Sequence, residues 1–553
     1  MTRHRALLDL AAEFYEGRLD EFPVWSSDAG RHSTPKQPDI DSRLADYSEA
    51  AQARRAAGLA RYRERFAAIG TVGFDLDQQV DHRLFGAALE RAVFADEVLK
   101  RESRDPQMYV DECLNGIFSL IKKDYAPAAD RLRRATARLR AMPAFLETGK
   151  KNLARPVALY ARLATESARA AEPLFVESLD ALDAAAPQGQ KLSAADTKAL
   201  HEARATALKA LSEFADWLDA KQKTGAVDPR FAMGRQNYER WLAKVALLPL
   251  SPDQIVAIGE TELARSRATQ AWIAPEAARA PHPAPPANQE EFLRSYEANT
   301  AGIVKFLTSH EILSIPEGIG PFSCRELPRA FKPTAPGGFM NAPGPFDTDP
   351  SGFYFIPTYD PHPSNSYLKW AIEDPRPILG HEGIPGHHYQ ISLANRVANP
   401  IRRLHDDGVF IEGWAFYTEE MLDRAGMYND RPDTRVQVMQ LLRMRAARVA
   451  VDVRLATGDW TFEQGVDYFM KEGGLDREAA EGETAGAAAN PGYKIQYLIG
   501  KWQIQRLLGR VRDREGASFS LRRFHDRLIS YGSLPVAVIE ELMLGEAAEA
   551  GPS

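Results

Sequence analysis

The sequence contains little of what would assign it to a specialised class of protein, beginning with cysteine. Only two cysteines occur among its 553 residues, Cys113 and Cys324, and they lie far apart. A disulfide framework is therefore not expected, and neither a thiolate metal site nor a cysteine nucleophile is indicated. Long apolar runs are also missing, since Val245–Leu250 and Leu534–Ile539 are far shorter than the roughly 20 residues that span a bilayer.

The chain also lacks an excess of positive charge. Its formal net charge is -7 and its isoelectric point is about 6.0. Nucleic acids and anionic membranes bind basic surfaces, so neither is expected as a partner. The segment Met1–Tyr15 contains Asp9 and Glu13, whereas the core of a secretory signal is uncharged and apolar. We therefore predict no signal peptide and a cytoplasmic location.

What is present is the composition of an ordinary globular protein, with 44% hydrophobic and 26% charged residues. A chain of this length exceeds what one compact core usually serves, so we expect two lobes or one elaborated domain with room for a deep cleft. We divide the chain into a helical N-terminal region, 1–272, and a second, catalytic region, 273–553. We expect the two regions to form one continuous structural unit.

Helical periodicity dominates the N-terminal region. Segments rich in Ala, Leu, Arg and Glu carry apolar residues at three- and four-residue spacing, which is the pattern of a helix with one buried face. Ser251 followed by proline is typical of a helix start. The predicted helices are Tyr47–Ile69, Asp77–Arg101, Asp130–Arg140, Pro156–Ala170, Ala194–Leu218 and Ser251–Thr269.

The composition changes after Trp272. Proline and glycine recur over residues 275–363 and predict surface loops together with a small sheet. Phe353–Thr358 is the best strand candidate, and Pro357 restricts it to a sheet edge or to a strand end. Such a strand would either align an extended peptide by edge pairing or be buried for packing alone. Helical patterning resumes over 377–510, so we predict a mainly α protein with one small β-sheet beside its active-site helix.

The most informative stretch runs from Gly380 to Gln390 and reads GHEGIPGHHYQ. In the common zinc-peptidase helix, H-E-x-x-H, two histidines four residues apart share one face. Here position 385 is proline, and His387 would lie about 120° from His381 around an unbroken helix. The two histidines therefore either serve different purposes or are brought together by a local distortion.

Pro385 and Gly386 favour the second interpretation. Proline cannot donate to the carbonyl of His381, and glycine lets the backbone recover through conformations that other residues avoid. A bulge of two extra residues would return His387 to an effective four-residue spacing. His388 recovers the angle but lies roughly 10 Å along the helix axis. We prefer His387 as the second ligand and keep His388 as the rival.

A third ligand candidate lies about 25 residues beyond His387. Glu412 stands in apolar surroundings, where a carboxylate is costly unless it is paired or coordinates a metal. Two histidines and one glutamate, with an open fourth position, are a recognised catalytic zinc set. The alternative is an exposed glutamate in the first turn of a helix. Glu419, two turns further on the same face, is either an acceptor for a ligand imidazole or, as we favour, a solvated surface acid.

The motifs H-E-G-x-P-G-H-H-x-Q and E-G-W-A-x-Y, together with the strand segment before them, resemble the widespread family known as domain of unknown function 885. The resemblance is strong over about residues 340–505 and weak over most of the rest. That family is similar to the gluzincin-type metallopeptidases, so the resemblance implies a mostly helical fold with a metal at the floor of a cleft. It carries over His381, His387 and Glu412 as ligands of one zinc ion per chain. It also carries over Glu382 as the general base.

The family's late P-G…Y-x-I-G motif is similar to Asn490–Gly500, and its tyrosine falls on Tyr497. We predict that Tyr497 donates to the oxyanion of the tetrahedral intermediate, with Tyr493, one turn earlier on the same face, as the rival. Either tyrosine is alternatively a packed aromatic whose hydroxyl is satisfied within the protein.

The chain departs from the family in one respect. Many relatives carry an arginine just before the late motif, whereas Gly482–Ala489 contains no basic residue. A role for that arginine in gripping a substrate carboxylate therefore does not transfer. Replacements exist on the preceding helix, although we expect most of them to face solvent or to form salt bridges. They are Arg443, Arg445, Arg448 and Arg454.

Together these features predict a zinc-dependent metallohydrolase, a peptidase acting on short peptides. Glu382 would take a proton from the zinc-bound water and pass it to the leaving amine. The alternatives are a zinc hydrolase of non-peptide amide or ester bonds and a non-catalytic binding protein that keeps the fold. Cobalt, nickel or manganese would also suit these ligands. The sequence leaves open which peptide terminus is attacked and the oligomeric state.

Overall fold

The fold is built almost entirely of helices. We describe it from a computed structural model, in which the described residues are 2–34, 37–280, 284–327, 338–363 and 366–545. The predicted mainly α class with one small sheet is confirmed. Across these ranges, every helix is too short or too polar to cross a membrane.

The helices that precede the sheet make up the predicted N-terminal region and extend a little beyond it. In chain order they are α1 (Arg3–Glu21), α2 (Pro23–Asp28), α3 (Glu49–Ile69), α4 (Leu76–Phe94), α5 (Arg101–Arg104), α6 (Gln107–Ile121), α7 (Ala128–Asn152), α8 (Ala158–Arg169), α9 (Glu172–Phe175), α10 (Glu177–Ala185), α11 (Ala194–Lys223), α12 (Arg235–Arg240), α13 (Pro252–Ala277) and α14 (Gln289–Ser309). Five-residue π-helical turns follow α4 and α12, at Ala95–Leu99 and Trp241–Val245.

The sheet and the helices that carry the predicted site come next. The strands are β1 (Phe322–Glu326), β2 (Phe339–Asn341) and β3 (Gly352–Ile356). The remaining helices are α15 (Ser366–Glu373), α16 (Arg376–Glu382), α17 (His387–Ala394), α18 (Pro400–Arg403), α19 (Gly408–Arg424), α20 (Pro432–Thr457), α21 (Phe462–Tyr468), α22 (Arg477–Ala489), α23 (Gln496–Glu515), α24 (Leu521–Ser530) and α25 (Val536–Leu544).

The predicted helices are confirmed, with shifts of boundary. Ser251 caps α13 and closes a capping box with Gln254, as its position before proline suggests. The predicted loop start at 275 is wrong, because α13 continues through Pro275 to Ala277. A proline in the last turn removes only one backbone hydrogen bond, which the rest of the long helix tolerates. The prediction of loops and a small sheet over 275–363 is also wrong for Gln289–Ser309, which forms α14. Residues 281–283 and 328–337 of the predicted loops lie outside the described residues.

The sheet has the order β1-β3-β2, with β1 parallel and β2 antiparallel to the central strand. Tyr354 of β3 pairs with Cys324 on one side and with Met340 on the other. The strand predicted over Phe353–Thr358 is therefore present and ends before Pro357. It is central rather than at an edge, and both of its sides are occupied. Of the two alternatives for this strand, burial for packing is therefore confirmed and edge pairing with a peptide is wrong.

β3 is buried along its whole length because two cores meet on it. Phe353 and Phe355 belong to the core formed mainly by α6, α7 and α11. Tyr354 and Ile356 belong to the larger core, which reaches from α1 to α25. Successive side chains of a strand point to opposite faces, and here both faces are covered. The central strand is thus packed between the two cores.

Two glycines allow α19 and α23 to cross with their backbones in contact. A Cβ on Gly500 would overlap the carbonyl oxygen of Val409 and would lie 2.7 Å from the Cα of Gly413. Since α19 carries Glu412 and α23 carries Tyr497, this crossing sets the distance between the two predicted site helices. Glycine is required here for the close approach of two backbones, not for its freedom of φ.

We predict that Gly500→Ala destabilises the protein by about 2 kcal/mol or more, because the added methyl group forces the two helices apart. Gly509→Ala is the matched control, since Gly509 lies on the same helix with no atom within 4 Å of an added Cβ. That control is expected to leave the protein unchanged or to stabilise it by about 0.5 kcal/mol. Thermal or denaturant unfolding of the two variants checks this, and equal stabilities would contradict the close crossing.

Candidate metal centre

The first part of the site lies where one helix ends and another begins. α16 ends at Glu382 and α17 begins at His387, with four residues between them. Pro385 has no N–H to continue the helical hydrogen bonds, and a Cβ on Gly386 would overlap the carbonyl oxygen of His381. The sequence correctly predicts that the helix opens here. The opening is a complete break, however, and not a bulge of two residues within one helix.

The break brings the imidazoles of His381 and His387 together. Their ring centroids are 4.7 Å apart, and the rings are nearly perpendicular. Glu412, early in α19, faces both rings: its Oε2 lies 3.6 Å from Nε2 of His381 and 3.4 Å from Nε2 of His387. All three side chains are buried. The three residues predicted as ligands therefore meet at one point.

The Glu412 carboxylate fits the role of a metal ligand. Its Oε2 is buried, and within the described ranges it accepts no hydrogen bond. The two contacts to imidazole nitrogen are also longer than ordinary hydrogen bonds. Two donor atoms bound at about 2.1 Å to a tetrahedral zinc ion are separated by about 3.4 Å, which is close to the spacing found. The donor set therefore suits one divalent cation.

Glu382, the last residue of α16, supplies a second carboxylate at this point. One of its oxygens lies within 4.8 Å of a nitrogen of His381 and of a nitrogen of His387. Spacing alone would thus allow Glu382 as a ligand, but Glu412 approaches both Nε2 atoms to 3.6 Å or less. Burial raises the pKa of the Glu382 carboxyl against the opposing effect of the two imidazoles. No donor in the described part of the chain hydrogen-bonds to Glu382.

Glu419 contacts the second ring nitrogen of His381, the one that does not face Glu412. Its Oε1 lies 2.8 Å from Nδ1 of His381 and 2.8 Å from Nη2 of Arg445. A carboxylate in this position fixes the orientation of a ligand imidazole. Glu419 is fully buried and contacts His381, so the favoured prediction of a solvated surface acid is wrong. The reason is that α19 is buried on nearly every side, which periodicity alone does not reveal. That the His381 imidazole is a metal ligand stays a prediction.

α19 also binds the backbone of the break itself. The indole Nε1 of Trp414 donates to the carbonyl of Pro385 at 2.8 Å. The hydroxyl of Thr418 donates to the carbonyl of Gly380 at 3.0 Å. Both carbonyls belong to the region where the regular helical pattern is lost. One helix therefore supplies a candidate ligand, the acid behind a second ligand, and the donors that hold the turn between the two histidines.

The electrostatics of the centre are dominated by carboxylates. Burial alone would lower the pKa of His381, but the carboxylates of Glu412 and Glu419 raise it to about 9. Burial alone would raise the pKa of Glu412, but His387 and His381 hold it well below its usual range. With neutral imidazoles, the three carboxylates described above outnumber the one guanidinium in the described ranges that contacts any of them, Arg445 on Glu419, which leaves an excess of negative charge. Such an excess favours a divalent cation.

His388 is bound to the sheet. Its Nε2 donates to the carbonyl of Gly320 at 2.7 Å, and its ring centroid lies 5.5 Å from that of Phe322. Burial lowers the pKa of this histidine. An added Cβ on Gly352 would collide with its Nδ1, so strand and imidazole pack in direct contact. These contacts engage His388 away from the two Nε2 atoms that face Glu412, in line with the preference for His387.

Two tyrosine hydroxyls adjoin the carboxylate. Tyr493 donates a hydrogen bond to Oε1 of Glu412 at 2.7 Å, and its hydroxyl lies 3.0 Å from that of Tyr497. The Tyr497 ring is buried and lies parallel to the ring of His381, with centroids 6.1 Å apart. Tyr493 is 38% exposed. The two rivals for the oxyanion donor are thus neighbours, and Tyr493 is the one that contacts Glu412 and reaches the surface.

The loop that presents Tyr493 is held by a residue that the sequence analysis did not identify. Asp452 of α20 is fully buried and accepts hydrogen bonds from the backbone N–H groups of Gly492 at 2.7 Å and Lys494 at 2.6 Å. Burial raises the pKa of Asp452 to about 7 against the effect of these hydrogen bonds. A signal for it was available, because an acid within the apolar run Val449–Val453 needs a partner as the ligand glutamate does.

The four arginines considered as replacements in substrate binding are engaged within the protein. Arg445 binds Glu419, the acid that contacts His381. Arg448 binds both oxygens of the buried Glu483. Arg443 donates to backbone carbonyls after α21. Arg454 lies 3.6 Å from an aspartate beyond its own helix. The expectation of salt bridges thus holds for most of them.

Two solved structures of other proteins have a similar fold. A "putative lipoprotein of unknown function" from Shewanella oneidensis is 22% identical, with a TM-score of 0.75 over 97% of this chain and 99% of that chain. A "putative lipoprotein" from Colwellia psychrerythraea is 19% identical, with a TM-score of 0.73 over 98% of both chains. At these identities the likeness shows the fold alone.

No curated protein matches the sequence significantly. The family described as "Bacterial protein of unknown function (DUF885)" has a sequence model that matches residues 23–543. That match covers most of the described helices and every residue of the candidate metal centre. The chain therefore belongs to the DUF885 family.

Proposed function

We propose that the protein is a zinc-dependent metallohydrolase, a peptidase that acts on short peptides. The observation that carries the proposal is the position of Glu412, whose buried Oε2 faces Nε2 of His381 and of His387 at 3.6 Å or less without a hydrogen bond. Two histidines and one glutamate, with an acid directly after the first histidine, are also the residue set of the gluzincin-type metallopeptidases, to which we propose a functional similarity.

His381, His387 and Glu412 would hold one zinc ion per chain. When bound there, zinc would polarise a carbonyl group and lower the pKa of a coordinated water towards neutrality. Glu419 keeps the imidazole of His381 in the orientation that presents Nε2, because it contacts Nδ1.

Glu382 is the residue that moves the proton. It lies beside the two histidines, it is half-buried, and no donor among the described residues competes for its carboxylate. Its raised pKa suits a group that accepts a proton from the attacking water and then gives it to the leaving amine.

Tyr493 is the better candidate for stabilising the oxyanion. Burial raises the pKa of both Tyr493 and Tyr497, so both hydroxyls remain protonated and able to donate. Tyr493 is the more exposed of the two and adjoins Glu412, whereas the hydroxyl of Tyr497 reaches Tyr493. We therefore assign the donor role to Tyr493, whose single O–H would leave Oε1 of Glu412 to donate to the oxyanion, and the role of holding its hydroxyl to Tyr497.

The bond that is cleaved is the open part of this proposal. A zinc hydrolase of non-peptide amides or esters would need the same residues, since both reactions pass through a tetrahedral intermediate. A binding protein that keeps the fold would not need an acid beside the two histidines. The presence of Glu382 therefore argues against that alternative. The cytoplasmic location and the lack of nucleic-acid and membrane partners stay predictions.

The first experiment is elemental analysis of purified protein. We expect about one zinc per chain in wild type, and less than a tenth of that in Glu412→Ala and in His387→Ala, because each change removes one of three ligands. His388→Gln is the control, since glutamine keeps a donor for the Gly320 carbonyl, and it should retain zinc. If zinc were lost in His388→Gln but kept in His387→Ala, the second ligand would be His388 and not His387.

A second experiment separates metal binding from proton transfer. We expect Glu382→Gln to keep its zinc and to lose at least about 100-fold in turnover of a peptide library, because glutamine has the same size but cannot accept the proton. Cleaved library members from wild type would define the substrate class. A Glu382→Gln variant with full turnover would remove this residue from the mechanism.

The acid behind His381 provides a third test. We expect Glu419→Gln to weaken zinc binding about 10- to 100-fold in competition with a chelator, because the imidazole loses its orienting carboxylate. Glu420→Gln is the matched control: Glu420 is the next residue, is also buried, and pairs with Arg265 and Lys501 instead. It should lower stability and leave the zinc affinity unchanged. Equal affinities in the two variants would show that Glu419 does not act on the metal ligand.

A further inference from the structure

Tyr493 also lines a cavity of about 240 Å³ on the side of the site formed by the N-terminal region. The wall of this cavity combines α5, the beginning of α8, the segment around α12 and the loop after α22. Apart from Tyr493, none of its lining residues takes part in the centre described above. The cavity is therefore a separate feature that shares one side chain with the candidate metal centre.

One phenol ring separates the cavity from Glu412. The Tyr493 ring lines the cavity while its hydroxyl donates to Oε1 of Glu412 at 2.7 Å. Gln496 also lines the cavity, and its side-chain amide packs against Gly408, the first residue of α19. A molecule in the cavity would therefore lie next to the reacting groups of the proposed hydrolase.

The walls of the cavity are aromatic and apolar. Tyr160, Phe231, Met233 and Trp241 line it, and each is half-buried. The hydroxyl of Tyr160 donates to the carbonyl of Ala488 at 2.8 Å, so its polar end is satisfied within the protein. The volume of about 240 Å³ is below the range typical of sites for drug-sized ligands. It suits one or two amino-acid residues with a large apolar side chain.

Two of the three charged side chains that line the cavity are cationic. Arg101 and Arg104 of α5 line it together with one acid, Asp105. Arg101 contacts Asp105 through Nε and Nη2. Arg104 donates through Nη2 to the carbonyl of Arg230 at 2.6 Å, and the same nitrogen lies 3.9 Å from Asp228. Within the described ranges, Nη1 of Arg101 and both Nε and Nη1 of Arg104 are left without a partner. These N–H groups are available to a carboxylate, which guanidinium binds well.

A larger cavity, of about 330 Å³, lies behind α17 and does not combine these features. It is lined by Ser314, Tyr389 and Asp526 among others. The hydroxyl of Tyr389 donates to the carbonyl of Ser314, and the hydroxyl of Ser314 donates to Asp526. These polar groups satisfy one another and leave little for a ligand.

We infer that the cavity beside Tyr493 binds the end of a short peptide that carries an aromatic or large aliphatic side chain and a free carboxylate. The side chain would contact Phe231, Met233 and Trp241, and the carboxylate would bind the open N–H groups of Arg101 and Arg104. This inference rests on the proposed function only in treating the bound molecule as a substrate. It predicts a preference for peptides whose terminal residue is apolar and unblocked.

Isothermal titration calorimetry with three small probes tests the inference. They are N-acetyl-L-phenylalanine, its primary amide, and N-acetylglycine. We expect saturable binding of N-acetyl-L-phenylalanine to the full-length protein. The amide should bind about tenfold more weakly or worse, because it lacks the charge that the guanidiniums recognise. N-acetylglycine should bind about tenfold more weakly or worse, because it leaves the apolar wall uncovered.

Variants locate the binding. Ala489→Trp should abolish binding of all probes, since Ala489 ends α22 and lines the cavity, which an indole would fill. The double change Arg101→Gln and Arg104→Gln should weaken N-acetyl-L-phenylalanine about tenfold and leave the amide unchanged. Arg162→Gln on α8 is the control, because Arg162 is outside the lining of the cavity. It should bind all probes as wild type does.

Several outcomes would overturn the inference. These are the absence of any probe binding, equal binding of acid and amide, and unchanged binding in Ala489→Trp. Acid binding that is lost in Glu412→Ala but unchanged in the arginine variant would place the carboxylate at the metal centre instead, which also overturns it.

The two proposals fail separately. If wild type binds no zinc but binds the probes with the expected dependence on Ala489, the hydrolase proposal fails and the cavity remains a ligand site. If zinc and peptide turnover are present and Ala489→Trp changes neither turnover nor probe binding, the cavity inference fails and the hydrolase proposal stands.

Discussion

A carboxylate buried between two imidazoles is the constraint on which the rest of this structure depends. Removing the charge of Glu412 from water is costly, and the protein compensates with two histidines on one oxygen and a tyrosine hydroxyl on the other. The break between α16 and α17 allows both histidines to face that oxygen. The donors from α19 hold the break in place. The candidate ligand Glu412, the acid that contacts His381, and the donors to the break thus come from one buried helix.

The parts of the site that were predictable are those encoded in short stretches of sequence. The histidine pair and Glu412 were predictable because a proline within H-E-x-x-P-x-H, and an acid within an apolar helix, each need a physical explanation. Glu419 was misjudged because its exposure depends on which helices surround α19, and one helix pattern does not contain that information. Asp452 was missed although its apolar surroundings gave the same kind of signal as those of Glu412.

The fold was likewise predictable where neighbouring residues determine the structure, and not where residues far apart in the chain determine it. The start of a helix with a strong cap, such as α13 with its Ser251 box, was predictable to within a residue, whereas its end was predicted at Thr269 and lies at Ala277. The place of β3 in the middle of the sheet was not, because strand order is set by partners far away in the chain. Likewise the cavity beside Tyr493 joins Arg101, Tyr160, Trp241 and Ala489, which no contiguous motif links.

The contact between Gly413 and Gly500 has a consequence for how the protein tolerates change. Because the two site helices touch through their backbones, the distance between them is set by the main chain. The wall of the neighbouring cavity is made of side chains instead. If the cavity binds substrate as proposed, its preference could be redesigned, or could drift during evolution, by exchanging Phe231, Met233 or Ala489 while the spacing of α19 and α23 is conserved.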